Sequence, residues 1–114
     1  MTTPSEVIDR QLDAYNERDL DAFVACYAPD AMVVQPDGST LASGQEQIRE
    51  RYGDLFAASP ELRAEILNRI KVGAVVIDEE HVTGFVLPGM PPEIHAAVVY
   101  RVRDGLIQDA RLFG

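Results

Sequence analysis

Ala28-Pro29-Asp30-Ala31-Met32-Val33-Val34-Gln35-Pro36-Asp37-Gly38-Ser39 is the stretch on which the fold turns. Ala31 to Gln35 is a short apolar run that reads as a strand, and Pro36-Asp37-Gly38 closes it with turn chemistry. The chain before it is patterned for helices. Thr3-Pro4-Ser5-Glu6 reads as a helix start, with Thr3 as cap, Pro4 in the first turn and Glu6 completing a capping box. Val7, Ile8, Leu12 and Tyr15 then recur at helical spacing, and Gln11 falls on the same apolar face, where a buried amide needs partners. Asp19 caps a second helix carrying Leu20, Phe23, Val24 and Tyr27, which Pro29 helps to end.

Beyond the turn, Ser43 to Glu46 reads as another capping box. It opens a third helix with Ile48, Tyr52, Leu55 and Phe56 on one face, ended by Ser59-Pro60. The remainder reads as strands. From Leu62 to Ile77, Ala64, Ile66, Asn68, Ile70 and Val72 alternate with Arg63, Glu65, Leu67, Arg69 and Lys71, and Gly73 is a candidate bulge. Asp78-Glu79-Glu80 is expected as a solvated turn into a strand from His81 to Leu87, followed by the stiff loop Pro88-Gly89-Met90-Pro91-Pro92. Ile94 to Arg103 and Leu106 to Phe113 are strands joined by the hairpin signal Asp104-Gly105. Helices first and antiparallel strands after give an α+β fold, with the helices on one face of a curved sheet. Such packing leaves room for a cavity that suits a small ligand.

A chain of 114 residues is expected to form one domain, residues 1–114, with one core. Its net charge of −9, with ten basic residues spread along the chain, argues against nucleic acid or an anionic membrane as partner. No apolar run reaches bilayer length and Thr2 to Glu6 does not resemble a signal peptide, so a cytoplasmic location is expected. Cys26 is the sole cysteine, which rules out an internal disulfide and a cysteine-based metal site. His81 and His95 lie on separate strands without a metal-type companion, and the chain has neither a glycine-rich phosphate loop nor a Ser-His-Asp order. No metal and no cofactor are expected.

Further markers run through the chain: Tyr15-Asn16, Asp19-Leu20-Asp21, Tyr27-Ala28-Pro29-Asp30-Ala31, Gly44 with Ile48-Arg49 and Tyr52, and Leu112-Phe113-Gly114. Together they resemble the NTF2-like superfamily, in particular the SnoaL-like cyclases and the ketosteroid isomerases, over nearly the whole chain. The resemblance implies an NTF2-like cone, with N-terminal helices packed on a curved, mainly antiparallel sheet, and a homodimer formed through the outer sheet face. It does not fix the activity, because this superfamily hosts isomerases, cyclases, dehydratases, epoxide hydrolases and non-catalytic binders.

In the isomerases an aspartate moves a proton beside a ketone while a tyrosine and a protonated aspartic acid hold the enolate. Matched position by position, the base falls on Gln35, the tyrosine on Gln11 and the acid on Val98. An amide cannot take a proton at neutral pH, so the isomerase mechanism is not expected. Tyr52 matches a supporting tyrosine of that family and Tyr27 falls nearby. With Gln11 and Gln35 they would form the polar end of a cavity that Val98 and Tyr100 also face. The plain alternative is that both tyrosines are core aromatics.

The resemblance also points the face of the last strand that carries Asp109, Arg111 and Phe113 toward the cavity. Asp109 would then be the pocket's catalytic carboxylate, with Arg111 and Phe113 as ligand contacts; the alternative is a structural ion pair. Three functions remain: a cofactor-free acid–base enzyme of isomerase, cyclase or lyase type acting on a small apolar or partly polar metabolite, a non-catalytic ligand-binding module, and a dimeric interaction protein.

Overall fold

A computed structural model describes residues 2–114. Three helices, α1 (Pro4–Glu17), α2 (Leu20–Ala25) and α3 (Gly44–Ala58), pack on one sheet. Its strands are β1 (Tyr27–Val34), β2 (Thr40–Ser43), β3 (Arg63–Val72), β4 (Val75–Thr83), β5 (Ile94–Arg103) and β6 (Leu106–Phe113). The spatial order is β2-β1-β6-β5-β4-β3, and every neighbouring pair is antiparallel except β1 and β6. This is the expected NTF2-like α+β architecture. None of the helices is long and apolar enough to cross a membrane among the described residues.

The helix starts follow from their caps. Thr3 accepts from the Glu6 amide while Glu6 accepts from the Thr3 amide, a reciprocal box that satisfies two donors otherwise orphaned at the helix start. The helix stops at Arg18, which takes a left-handed backbone with φ of 54° and sends its guanidinium to the Leu62 carbonyl at 2.8 Å. Asn16 then brackets Ala64, accepting from its amide at 2.7 Å and donating to its carbonyl at 3.1 Å. These contacts fasten α1 to β3, the edge strand of the sheet, and give that edge partners it would otherwise lack.

Several boundaries differ from the sequence reading. Tyr27 is not helical: α2 ends at Ala25 after six residues and Tyr27 opens β1. Pro29 lies within that strand, where the register with β6 slips between Tyr27 and Met32, so its missing N–H costs no ladder bond. Thr40–Ser43 forms the short edge strand β2, which was not anticipated. Ser43 makes no side-chain cap, and the Gln47 side chain accepts from the Ser43 amide at 2.8 Å instead.

The largest differences lie in the β3–β4 hairpin. Gly73, with φ of +56°, makes the turn rather than a bulge, between runs of β-branched residues that continue as strand on both sides. Asp78, Glu79 and Glu80 are therefore in the middle of β4 rather than at a solvated tip. The bulge is instead at Leu67, where the register slips between Ile66 and Asn68. One extra residue reverses every later side chain. Arg69 consequently turns to the inner face and meets Asp78, which is fully buried. Its Nε and Nη2 bond the two Asp78 oxygens at 2.6 and 2.9 Å, and its Nη1 bonds Asp9 of α1 at 2.6 Å. By contrast, β5 and β6 have the expected bounds, and both turn residues, Asp104 and Gly105, have positive φ (55° and 74°).

The core fills the space between helices and sheet. Val7, Ile8, Phe23, Tyr27, Ile48, Leu62 and Ile107 are essentially inaccessible to solvent. Burial of each such large side chain contributes roughly 1.5–3 kcal/mol. Toward α1 and α3 the packing opens into a cavity.

Candidate functional site

The cavity has a volume of about 520 Å³ and lies between α1, α3 and the inner face of the sheet. All four tyrosines of the chain line it: Tyr15 from α1, Tyr27 from β1, Tyr52 from α3 and Tyr100 from β5. Gln11 joins them from α1 and Glu80 from β4. Pro36, Arg51, Asp54, Met90 and Phe113 line it and are exposed, which marks where it opens. Phe85, Leu87 and Pro88 bring the loop after β4 against the same opening. That loop is stapled by Ser59, fully buried, whose hydroxyl accepts from the Val86 amide at 2.9 Å.

Glu80 reaches the cavity by strand alternation. Val76, Asp78, Glu80 and Val82 share the inner face of β4, opposite Tyr100, Val98, Ala96 and Ile94 of β5. Its carboxyl accepts a hydrogen bond from the Tyr100 hydroxyl at 3.3 Å. Burial pushes its pKa up to about 7, and the negative charge of Asp78 two residues away adds to this, against smaller opposing contributions from the Tyr100 hydrogen bond and Arg69. The carboxyl therefore exchanges a proton near neutrality. Burial raises the hydroxyls of all four tyrosines above their ordinary value of 10.0, and the Glu80 charge reinforces the shift. They remain protonated donors throughout the neutral range.

Among the described residues, the hydroxyls of Tyr15, Tyr27 and Tyr52 have no side-chain hydrogen-bond partner, and the Gln11 Oε1 is buried without one. Two phenylalanine rings stand behind this polar group. Phe23 lies 5.3 Å from Tyr27 and 4.6 Å from Tyr52 between ring centroids, and Phe56 lies 5.5 Å from Tyr15. The Tyr15–Phe56 pair is edge-to-face and the two Phe23 pairs are tilted, and rings packed in this way fix where their hydroxyls point.

The sequence-derived site residues separate into two groups. Gln11, Tyr27, Gln35, Tyr52, Val98, Tyr100 and Phe113 line the cavity. Gln35 does so from the half-exposed opening, where its Nε2 donates to Ser39 Oγ at 3.2 Å. Asp109 and Arg111 do not line it. The register pairs Tyr100 with Ala110 and Val98 with Leu112, so Ala110 and Leu112 face inward. Asp109 pairs with Arg101 and Arg111 with Val99 on the outer face. There Arg101 Nε bonds Asp109 at 2.9 Å and Arg111 Nε stands 3.8 Å away. The expectation that Asp109 and Arg111 point into the cavity is thus corrected, because both faces of β6 carry apolar side chains and only the pairing with β5 tells them apart. Glu80 was missed, although Val76 and Val82, at even spacing on either side of it, carry the signal of an inward face.

Among the described residues, no three His, Cys, Asp or Glu side chains converge as metal ligands. His81 pairs with Glu93, and His95 pairs with Glu79 at 2.6 Å on the outer face.

Residues 8–110 match the SnoaL-like domain family. The chain belongs to that family. Cystatin-like, NTF2-like and ketosteroid-isomerase-like folds recur among solved structures similar to it. An uncharacterized cystatin-fold protein from Novosphingobium aromaticivorans shares 25% identity over 100% of both chains, with a TM-score of 0.90. A candidate polyketide cyclase from Sinorhizobium meliloti shares 22% identity, covering 94% of this chain and 93% of its own, with a TM-score of 0.78. A protein with a ketosteroid-isomerase-like fold from Catenulispora acidiphila, in complex with trimethylamine, shares 22% identity over 99% of this chain and 87% of its own, also with a TM-score of 0.78. Val98 lies on the inner face of β5 opposite Asp78. Glu80 lies on the adjacent strand, one pair further along the inner face.

Proposed function

We propose that the cavity binds a small, largely apolar metabolite and that Glu80 moves a proton on it without a cofactor. The observation that carries this reading is a half-buried carboxyl, held at a pKa of about 7 and hydrogen-bonded by Tyr100 inside an otherwise apolar space. A base works best when its pKa lies near the working pH. In this mechanism the Glu80 carboxylate accepts a proton from a C–H or O–H of the ligand and returns it at a neighbouring atom. Negative charge developing on a ligand oxygen is met by the unpartnered hydroxyls of Tyr27 and Tyr52, donors already in place. The reaction class is isomerisation, cyclisation or elimination. Gln35, at the opening, contacts the ligand without transferring a proton.

A second reading is a non-catalytic binder, favoured by Gln11, Gln35 and Val98 at the three positions where the resembling isomerases carry their machinery. In either case, the outer face of the sheet, with Ile70 and Val72 exposed, is proposed to pair with a second copy of the chain.

Native mass spectrometry of the purified chain reports subunit number and any retained small molecule together. With that molecule in hand, Glu80→Gln is expected to abolish its turnover while retaining its binding. Turnover unaffected by the substitution sinks the role of Glu80. A bound molecule that the wild-type chain never converts establishes the binder.

A further inference from the structure

Glu80 is an acid without a counter-ion. Among the described residues, the one cation that acts on it is Arg69, and all three of that guanidinium's nitrogens are engaged by Asp78 and Asp9. One positive and two negative charges leave that triad negative, so it does not neutralise Glu80. Arg51 also lines the cavity, but it is exposed at the opening, where Asp54 accompanies it.

What faces Glu80 from the other elements is aromatic and uncharged. Tyr15 of α1, Tyr27 of β1, Tyr52 of α3 and Tyr100 of β5 all lie within its electrostatic reach. Aromatic faces attract cations through the ring quadrupole, most strongly where water is excluded. The Gln11 Oε1, buried and without a donor, adds an acceptor. The deep end thus holds a carboxyl, an amide oxygen, phenol oxygens and ring faces, and it lacks a positive charge. The chain's net charge of −9 steers in the same direction, favouring the approach of cations over anions.

We infer that the ligand of this cavity carries a cationic nitrogen, as a small and otherwise apolar amine, seated against Glu80 within the ring of tyrosines. The inference rests on the reading of the cavity as a ligand site and names its substrate class. The amine's charge supplies what Arg69 withholds, and its apolar body fills the remainder of the space. A carboxylate or phosphate ligand would meet Glu80 with like charge and find no deep cation.

Three probes sharing one aryl body separate the possibilities: N,N-dimethyl-1-naphthylmethylamine, 1-naphthylacetone and 1-naphthylacetate. Titration calorimetry of the full chain at pH 8 is expected to show the amine bound at least about tenfold more tightly than the ketone, with no binding of the acetate. Between pH 8 and pH 5.5 the amine should lose about tenfold in affinity as Glu80 takes up a proton, while the ketone is unchanged. In Glu80→Gln, an uncharged near-isostere, the pH dependence should vanish and the preference should fall to the remainder that the tyrosine rings and the Gln11 oxygen supply. The pH series on the wild type supplies the test should the variant fail to fold. A ketone that binds as well as the amine, or an amine affinity indifferent to pH, overturns the inference while leaving the proton-transfer reading intact. Binding of none of the three overturns it too, and if the purified chain also carries no retained molecule, the ligand-site reading falls with it.

Discussion

The two faces of the central strands treat the same functional group in opposite ways. On the outer face, Asp109 of β6 lies against Arg101 with Arg111 close by, and its charge is answered where it stands. On the inner face, Glu80 of β4 has only a phenol for a partner, and its pKa climbs to about 7. Asp78, two residues from Glu80 on the same inner face, is the more deeply buried of the pair yet has a bidentate guanidinium. Both acids are shielded from water, and what separates them is the guanidinium that Asp78 has and Glu80 lacks.

Breaking the paired acid should have the largest effect. Arg69→Met leaves Asp78 buried with no counter-charge, and is expected to cost about 3–5 kcal/mol in urea denaturation. Combining it with Asp78→Leu removes the orphaned charge and should restore most of that loss. A single variant as stable as the wild type would mean that Asp78 has found water or another donor.

Removing the unpaired acid should act in the other direction. The folded value for Glu80 lies above its ordinary 4.5, so the folded state holds the proton more tightly than the unfolded chain does. Below pH 4.5 both states are protonated and Glu80 costs nothing; as pH rises through 7 the folded chain must carry a disfavoured charge. Glu80→Gln should accordingly match the wild type in acid and exceed it by about 1–3 kcal/mol at pH 8, read from denaturation midpoints across that range. A constant gap between the two proteins would place the carboxyl in water.

The smallest effect is expected outside. Asp109→Asn keeps the side chain's shape and removes a charge that is itself 11% exposed but whose Arg101 partner is 63% exposed, and should cost about 1 kcal/mol. It should also leave ligand turnover unchanged, in contrast to Glu80→Gln. Loss of turnover in Asp109→Asn with stability intact would reverse the assignment of the two faces.

Much of the frame was readable from residues that act locally. Thr3, Pro4 and Glu6 fix a helix start, and Asp104-Gly105 supplies the positive φ that a tight hairpin needs, so the elements around them fall where expected. Tyr27, Tyr52 and Tyr100 were expected at the cavity from the resemblance, whereas helical spacing misplaced Tyr27, which opens β1, and did not single out Tyr15 as lining. What escaped was non-local. Alternation along β6 separates its two faces without saying which one meets the helices, and that choice is made by Tyr100 lying opposite Ala110. Asp78-Glu79-Glu80 looks like a solvated tip because three consecutive acids suit water. Gly73, seven residues ahead of Glu80, had already taken the turn and left the acids inside a strand.

The bulge at Leu67 acts as a reading frame for charge. Residues of β3 beyond it face opposite to the direction that simple alternation would give, and Arg69 is inside for that reason alone. Inserting a single codon directly after Leu67, with the bulge kept, would send Arg69 to the outside and bring Asn68 in, without replacing any other residue. Asp78 would lose its guanidinium and join Glu80 as a second untethered acid on the inner face of the sheet. Deleting Leu67 would instead straighten the strand and leave Arg69 opposite Asp78, so the charge pattern of this inner face is sensitive to length in one direction only.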